Sequence, residues 1–115
     1  REAGNHADAV KFLGRVLRLT PDDAGTLNNL GNAHRELSRL EDARAAYARS
    51  LVFRPDHAAT SLNLGEVCLA LGALDDAAVA FEGVLNKHPD DLDGLLNLAA
   101  VRIKQKEFDA AFKDF

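Results

Sequence analysis

The sequence predicts an all-α array of stacked helical hairpins, and three observations predict it. Pro21, Pro55 and Pro89 stand 34 residues apart. At the same step Asn29, Leu30 and Gly31 recur as Asn63, Leu64 and Gly65 and then as Asn97, Leu98 and Ala99, while Ala43 recurs as Ala77 and Ala111 and Tyr47 as Phe81 and Phe115. Between these marks the apolar residues fall at three- and four-residue steps, the signature of one helix face, with no run of strands. A helical unit of this length buries its apolar faces mainly against its neighbours, so the core is a strip along a rod.

The chain opens inside a unit. Gly4, Ala9, Leu13 and Leu17 align with Gly72, Ala77, Phe81 and Leu85, which puts Arg1 near the end of one helix and makes Ala7 to Leu19 a second helix. Its stripe is Ala9, Val10, Leu13, Val16 and Leu17. Thr20 and Pro21 end it, because proline lacks the amide hydrogen and disfavours helical geometry in the residue before it. This partial unit is 1–23, and whole units follow at 24–57 and 58–91.

In the first whole unit Ala24 to Leu37 forms a helix with Leu27, Leu30, Ala33 and Leu37 on one face. Gly31 sits inside it, where glycine costs up to about 1 kcal/mol against alanine and needs a compensation. Ser38, Arg39 and Leu40 make the turn, and Glu41 and Asp42 open the next helix with the sign its dipole favours. That helix runs to about Arg54 and buries Ala43, Ala46, Tyr47 and Leu51. The second unit repeats the plan with helices at Ala58 to Leu71 and Asp75 to His88, Gly72 supplying left-handed backbone at the turn and Leu74 plugging it as Leu40 does. The last unit, 92–115, gives a helix from Leu92 to about Gln105, a third plug at Phe108, and a second helix from Asp109 to Phe115 that is cut short.

Composition narrows the function. Hydrophobic residues are 47% and aromatic residues 6% of the chain, a mix that fills space between close helices with Ala and Leu and excludes disorder. No apolar run is long enough to span a bilayer and no signal-peptide pattern opens the chain, so a cytoplasmic location is expected. Cys68 is the single cysteine, which rules out an internal disulfide. A formal net charge of −4 argues against nucleic acid as partner. The arginines crowd into the near-neutral first half and most of the acid lies in the second.

No serine, cysteine or histidine forms a nucleophile, base and orienting-group set. His34 and Cys68 share one repeat position, and they read as a hydrogen-bonded buried or edge histidine and a small apolar thiol. His6, His57 and His88 lie near turns of different units and lack the short spacing on one face that a zinc site uses. The glycines are too dispersed for a phosphate loop. The expectation is no catalytic residue, no metal and no cofactor.

The spacing Leu27, Leu30, Gly31, Ala43, Tyr47, Pro55 resembles the tetratricopeptide repeat (TPR), and the resemblance covers nearly the whole chain. It implies a right-handed superhelical solenoid of about seven helices, with the first helix of each unit forming a concave wall. A small residue at Gly31, with Ala43 opposite, then lets the two helices of a hairpin approach closely. An array that begins and ends within units is expected to be a piece of a longer one. Its ends expose apolar stripes, with Val10, Leu13 and Leu17 at one end and Leu95, Leu98 and Val101 at the other, so fraying or self-association through repeat ends is expected.

Two binding modes follow from the resemblance. Asn29, Asn63 and Asn97 form a ladder similar to the asparagine ladder in the TPR arm of O-linked sugar transferases, and a carboxamide can both donate to and accept from a peptide backbone. The same residues equally suit bridging one unit to the next. The other mode, the carboxylate clamp that seizes acidic chaperone tails, is matched by Asn32 and Asn63. It is not matched at Asn28, Asp93 and Asn97, which stand where cations belong, and Asp93 would repel an acidic tail. The expected function is therefore a non-enzymatic protein–protein interaction scaffold. It would bind a peptide or protein segment in the concave groove through Asn29, Asn32, Arg35, Asn63, Glu66, Asn97 and Lys104. The alternative is a substrate-recruiting arm of a larger enzyme such as a glycosyltransferase.

Overall fold

The computed structural model describes residues 2–113, which form six α-helices and no strand. α1 spans Glu2–Leu19, α2 Ala24–Glu36, α3 Leu40–Phe53, α4 Ala58–Ala70, α5 Leu74–Lys87 and α6 Leu92–Lys113. Each helix packs on the next in chain order, and α4 also reaches α6. The principal extents are 51 × 30 × 22 Å and the radius of gyration is 15.5 Å, against about 13 Å for a compact chain of this length. The molecule is a short rod of stacked hairpins.

Local chemistry sets the helix ends. Asp23 caps α2 by accepting the Thr26 amide at 3.1 Å, and Asp91 does the same for Gly94 at 2.8 Å at the start of α6. The turns inside the two hairpins use left-handed backbone at Ser38 (φ 60°) and Gly72 (φ 79°). There the amides of Arg39 and Ala73 reach back five residues to the carbonyls of His34 and Cys68, at 2.8 Å in each case, satisfying groups the helix would otherwise leave open.

The core is the strip that the repeat demands. Ala43, Tyr47 and Val67 form one buried cluster with Leu40, Leu64 and Leu71 around it. Cys68, Ala77, Ala78, Phe81 and Val101 form the next, flanked by Leu62, Leu69, Leu74 and Leu98 among others. Leu40 and Leu74 thus plug their hairpins, and Tyr47 and Phe81 are fully buried. Each ring lies against a glycine: a Cβ added at Gly31 would stand 2.5 Å from Tyr47 Cε1, and one at Gly65 would stand 2.5 Å from Phe81 Cε1. Burial pushes the Cys68 thiol above its ordinary pKa, which keeps it a neutral core residue.

The two ends depart from expectation. The turn after Gln105 does not form, and α6 continues for 22 residues to Lys113, leaving Phe108 58% exposed instead of plugging a hairpin. Position Lys106 explains this, because it is the equivalent of Ser38 and Gly72. A non-glycine residue in left-handed backbone costs about 1–2 kcal/mol. Lys106 lacks the backbone freedom of Gly72 and stays helical. The expected second helix at Asp109 to Phe115 is therefore the tail of α6 as far as Lys113, with Phe115 outside the described residues, and the helix count is six where about seven were expected. The other end departs from expectation as well. Gly4, the counterpart of Gly72, stays helical, and α1 starts at Glu2 and not at Ala7.

Candidate functional site

The first helices α2, α4 and α6 carry every expected groove residue. Asn29, Asn32 and Arg35 lie on α2, Asn63 and Glu66 on α4, and Asn97 and Lys104 on α6. Four of the seven meet. Asn32 Oδ1 accepts the Tyr47 hydroxyl at 2.6 Å and the Asn63 amide at 3.4 Å, and Asn63 Oδ1 in turn accepts from Arg35 Nη1 at 3.2 Å. Arg35 Nη1 also faces Glu66 Oε1 at 3.5 Å. This chain of polar groups ties α2 and α3 to α4 at the surface of the wall.

The other three stand apart. Asn29 and Lys104 are exposed and Asn97 is half-buried, and none of them makes a side-chain hydrogen bond among the described residues. The ladder is thus uneven: Asn63 is engaged by the preceding unit, while the carboxamides of Asn29 and Asn97 remain open. The cause is what each rung faces. Asn63 meets Asn32 and Arg35, whereas the corresponding neighbours of Asn97 are Glu66 and Leu69.

A second set of contacts crosses the same joint. Thr60, fully buried, donates to Asn28 Oδ1 at 2.9 Å, and its oxygen lies 2.6 Å from His57 Nδ1. Since the single hydroxyl proton goes to Asn28, Nδ1 of His57 is the donor in that pair. On the side of the second helices, Arg44 pairs with Asp76 at 2.6 Å. One unit further on Asn28, Arg35 and Thr60 are replaced by Leu62, Leu69 and Gly94, so no such polar chain runs from α4 to α6 among the described residues. His34 is half-buried, as an edge histidine would be, but it departs from expectation in that its Nδ1 is enclosed without a hydrogen-bond partner. Neither Tyr47 as a polar contributor nor the Asn28–Thr60–His57 chain was anticipated. Their signal was the loss of identity between units, Tyr47 against Phe81 and Asn28 against Leu62. Among the described residues no group of three His, Cys, Asp or Glu is placed to hold a metal.

Tyr47→Phe isolates the network. The variant loses one hydroxyl bond, and Asn32 Oδ1 keeps its second donor, so unfolding in urea should show a loss of about 0.5–1.5 kcal/mol. Burial raises the Tyr47 phenol above its ordinary pKa of 10.0, offset in part by Arg35. Its contribution is therefore complete below the ordinary phenol range and is lost as the pH rises through the folded-state pKa. Alkaline titration of stability should show that loss in the parent and a smaller one in Tyr47→Phe; identical profiles would mean the hydroxyl is not coupled to folding.

A rod of helical hairpins with one polar, partly open wall defines a helical-repeat solenoid. Profiles of the tetratricopeptide repeat match residues 1–58 and 29–85, and a further one matches 69–112, so this chain belongs to the tetratricopeptide repeat family. No curated protein sequence matches it. Among solved structures it is similar to the second TPR domain of human RPAP3, in complex with an HSP70 peptide, at 19% identity and TM-score 0.80 over 86% of this chain and 82% of that one. It is similar to MamA at 21% identity and TM-score 0.86, covering 96% of this chain and 64% of MamA, so it spans less than two thirds of that protein. The O-GlcNAc transferase of Thermobaculum terrenum matches at 25% identity and TM-score 0.73, over 87% of this chain but 19% of the transferase. No helix among the described residues is long and apolar enough to cross a membrane.

Proposed function

We propose that the chain is a protein–protein interaction module whose concave wall, formed by α2, α4 and α6, holds an extended peptide segment. The observation that carries this reading is the pattern of satisfied and open carboxamides. Asn32 and Asn63 are fixed by Tyr47 and Arg35, which stiffens the wall, while Asn29 and Asn97 flank them with donors and acceptors unspent. A carboxamide pairs with a peptide bond whatever side chain the peptide carries, so the contacts select an extended backbone more than a sequence. Arg35, Glu66 and Lys104 then tune which charges are tolerated. TPR domains of RPAP3 solved with HSP70 and HSP90 peptides support the general mode.

The test begins with a peptide selected from a random library on the folded chain and titrated calorimetrically. Each open rung should contribute about 0.5–1.5 kcal/mol, so Asn29→Ala with Asn97→Ala should weaken binding about tenfold without lowering the melting temperature. Asn63→Ala should instead act on both, since it breaks the bond to Arg35. Unchanged affinity in all of these variants would move the binding surface elsewhere. A second reading, a substrate-recruiting arm of a larger enzyme, draws on the match to the O-GlcNAc transferase and on the ladder; a nucleotide-sugar-binding domain in the same polypeptide would favour it.

A further inference from the structure

We propose that the groove between α1 and α3 is a second docking site, which takes a partner protein's helix bearing an acidic, two apolar and a basic residue at i, i+3, i+4 and i+7. The groove is open and holds about 390 Å³. Leu27 and Leu30 of α2 form its floor, with Leu17 of α1 on one side and Ala45 and Ala46 of α3 on the other. Three consecutive helices bound it, and neither end of the chain lines it. At 100° per residue, Leu27 and Leu30 lie on the face of α2 opposite to Asn29 and Asn32, so the groove is separate from the wall of first helices.

Two unspent charges set the chemistry of the occupant. Asp42 and Arg49 line the groove from α3, two helical turns and so about 10 Å apart on one face. Neither makes a hydrogen bond or an ion pair among the described residues. The Arg49 guanidinium stands over the Phe53 ring at 5.9 Å, which steadies it and leaves its N–H groups for a carboxylate. The next joint shows what Asp42 lacks. Asp76, its equivalent one unit on, is held by Arg44 at 2.6 Å, which clips α3 to α5. The counterpart of Arg44 on α1 is Val10, so between α1 and α3 the carboxylate is left for a cation from outside. An apolar strip with a free carboxylate at one end and a free guanidinium at the other calls for the reverse order in its partner. Charges two turns apart on α3 are met by charges two turns apart on a facing helix, whose residues i+3 and i+4 then point at Leu27 and Leu30. α1 and α3 run the same way, each antiparallel to α2. A helix laid antiparallel to both from the open side brings its acid to Arg49 and its base to Asp42, acid first and base last, the order its own dipole favours.

The test titrates a stapled helical peptide, with glutamate, two leucines and arginine at those four positions and alanine between, into the 115-residue chain by NMR. The ring of His34 lines the groove and serves as reporter. Its resonances should shift saturably with Kd below about 1 mM, and a peptide with glutamate and arginine exchanged should bind about tenfold more weakly. Asp42→Asn and Arg49→Gln, both at exposed positions, should each weaken binding about three- to fivefold. Val10→Arg puts on α1 the residue that α3 uses at the next joint, so it should pair with Asp42 and weaken binding to a similar degree without lowering the melting temperature. Asp42→Lys with Arg49→Glu should reverse the preference between the two peptides, a gain that a misfolded chain cannot show. No saturable shift overturns the proposal, as does equal binding of the two peptides by the parent. So does binding that survives Asp42→Asn and Arg49→Gln but is lost in Asn29→Ala with Asn97→Ala, which would put the peptide on the wall of first helices.

Discussion

Phe81→Ala is expected to remove about 3–5 kcal/mol of stability, a large share of what a domain of this size possesses. The ring is fully buried and lies against Gly65, Ala77 and Val101, so truncation opens a cavity between α4, α5 and α6. In a repeat rod each unit leans on its nearest neighbours. Hydrogen exchange should therefore quicken in α5 and α6 while α2 and α3 retain most of their protection. Gly65 tells why the ring sits where it does. Its backbone is helical with negative φ, so alanine would fit the chain and add about 1 kcal/mol of helix propensity. The added Cβ would, however, stand 2.5 Å from Cε1 and 2.6 Å from Cζ of a ring with nowhere to move. Overpacking of that kind costs about 1–3 kcal/mol. Gly65→Ala should thus destabilise in urea melts. Combined with Phe81→Leu it should cost less than the two single changes together, because the smaller side chain relieves the overlap. A stabilised Gly65→Ala would mean the close approach is not what holds the hairpin.

This pairing also shows what the sequence discloses. The repeat step and the alternation of Gly31 and Gly65 with Tyr47 and Phe81 made the hairpins legible, and the boundaries of α2 to α5 fall within a residue of those the turns imply. They were legible because each turn has its own chemistry: Pro21, Pro55 and Pro89 between units, Ser38 and Gly72 within them. Lys106 has no such chemistry, and the helix runs through it. The ladder was legible as a column but not as a set of unlike rungs. Contacts between units do not run along columns: Arg35 meets Asn63 at a separation of 28 residues, Asn63 meets Asn32 at 31 and Thr60 meets Asn28 at 32. An alignment at the repeat period therefore shows which residues are equivalent and hides which ones touch.

A chaperone-tail clamp can be installed on this wall, and its installation is expected to change affinity by at least two orders of magnitude. The parent should bind SRMEEVD, the HSP90 peptide solved with the first TPR of Spaghetti (RPAP3), more weakly than about 1 mM, a free energy of about −4 kcal/mol. Asp93 is exposed in the first turn of α6, Asn28 holds the Thr60 hydroxyl, and Arg35 is already spent on Asn63 and Glu66. The acidic tail thus meets carboxylate and amide where cations are required. Asn28→Lys, Asp93→Lys and Asn97→Arg supply them and bring the formal charge from −4 to zero. A hydrogen bond to a charged group contributes about 1.5–3 kcal/mol, so even partial engagement of three should lower Kd to the micromolar range. The structural cost is small, because His57 can move its ring proton to Nε2 so that Nδ1 accepts the Thr60 hydroxyl when Asn28 is gone. The gain should shrink as salt is raised from 0.05 to 0.5 M, about the range over which the Debye length falls below a helix radius, and should vanish for the same peptide with an amidated C-terminus. Fluorescence anisotropy reads all three effects. If the triple variant folds like the parent and its Kd stays within tenfold of the parent value, then Asn28, Asp93 and Asn97 do not face a common ligand, and the wall of first helices is not where this chain takes hold of a peptide.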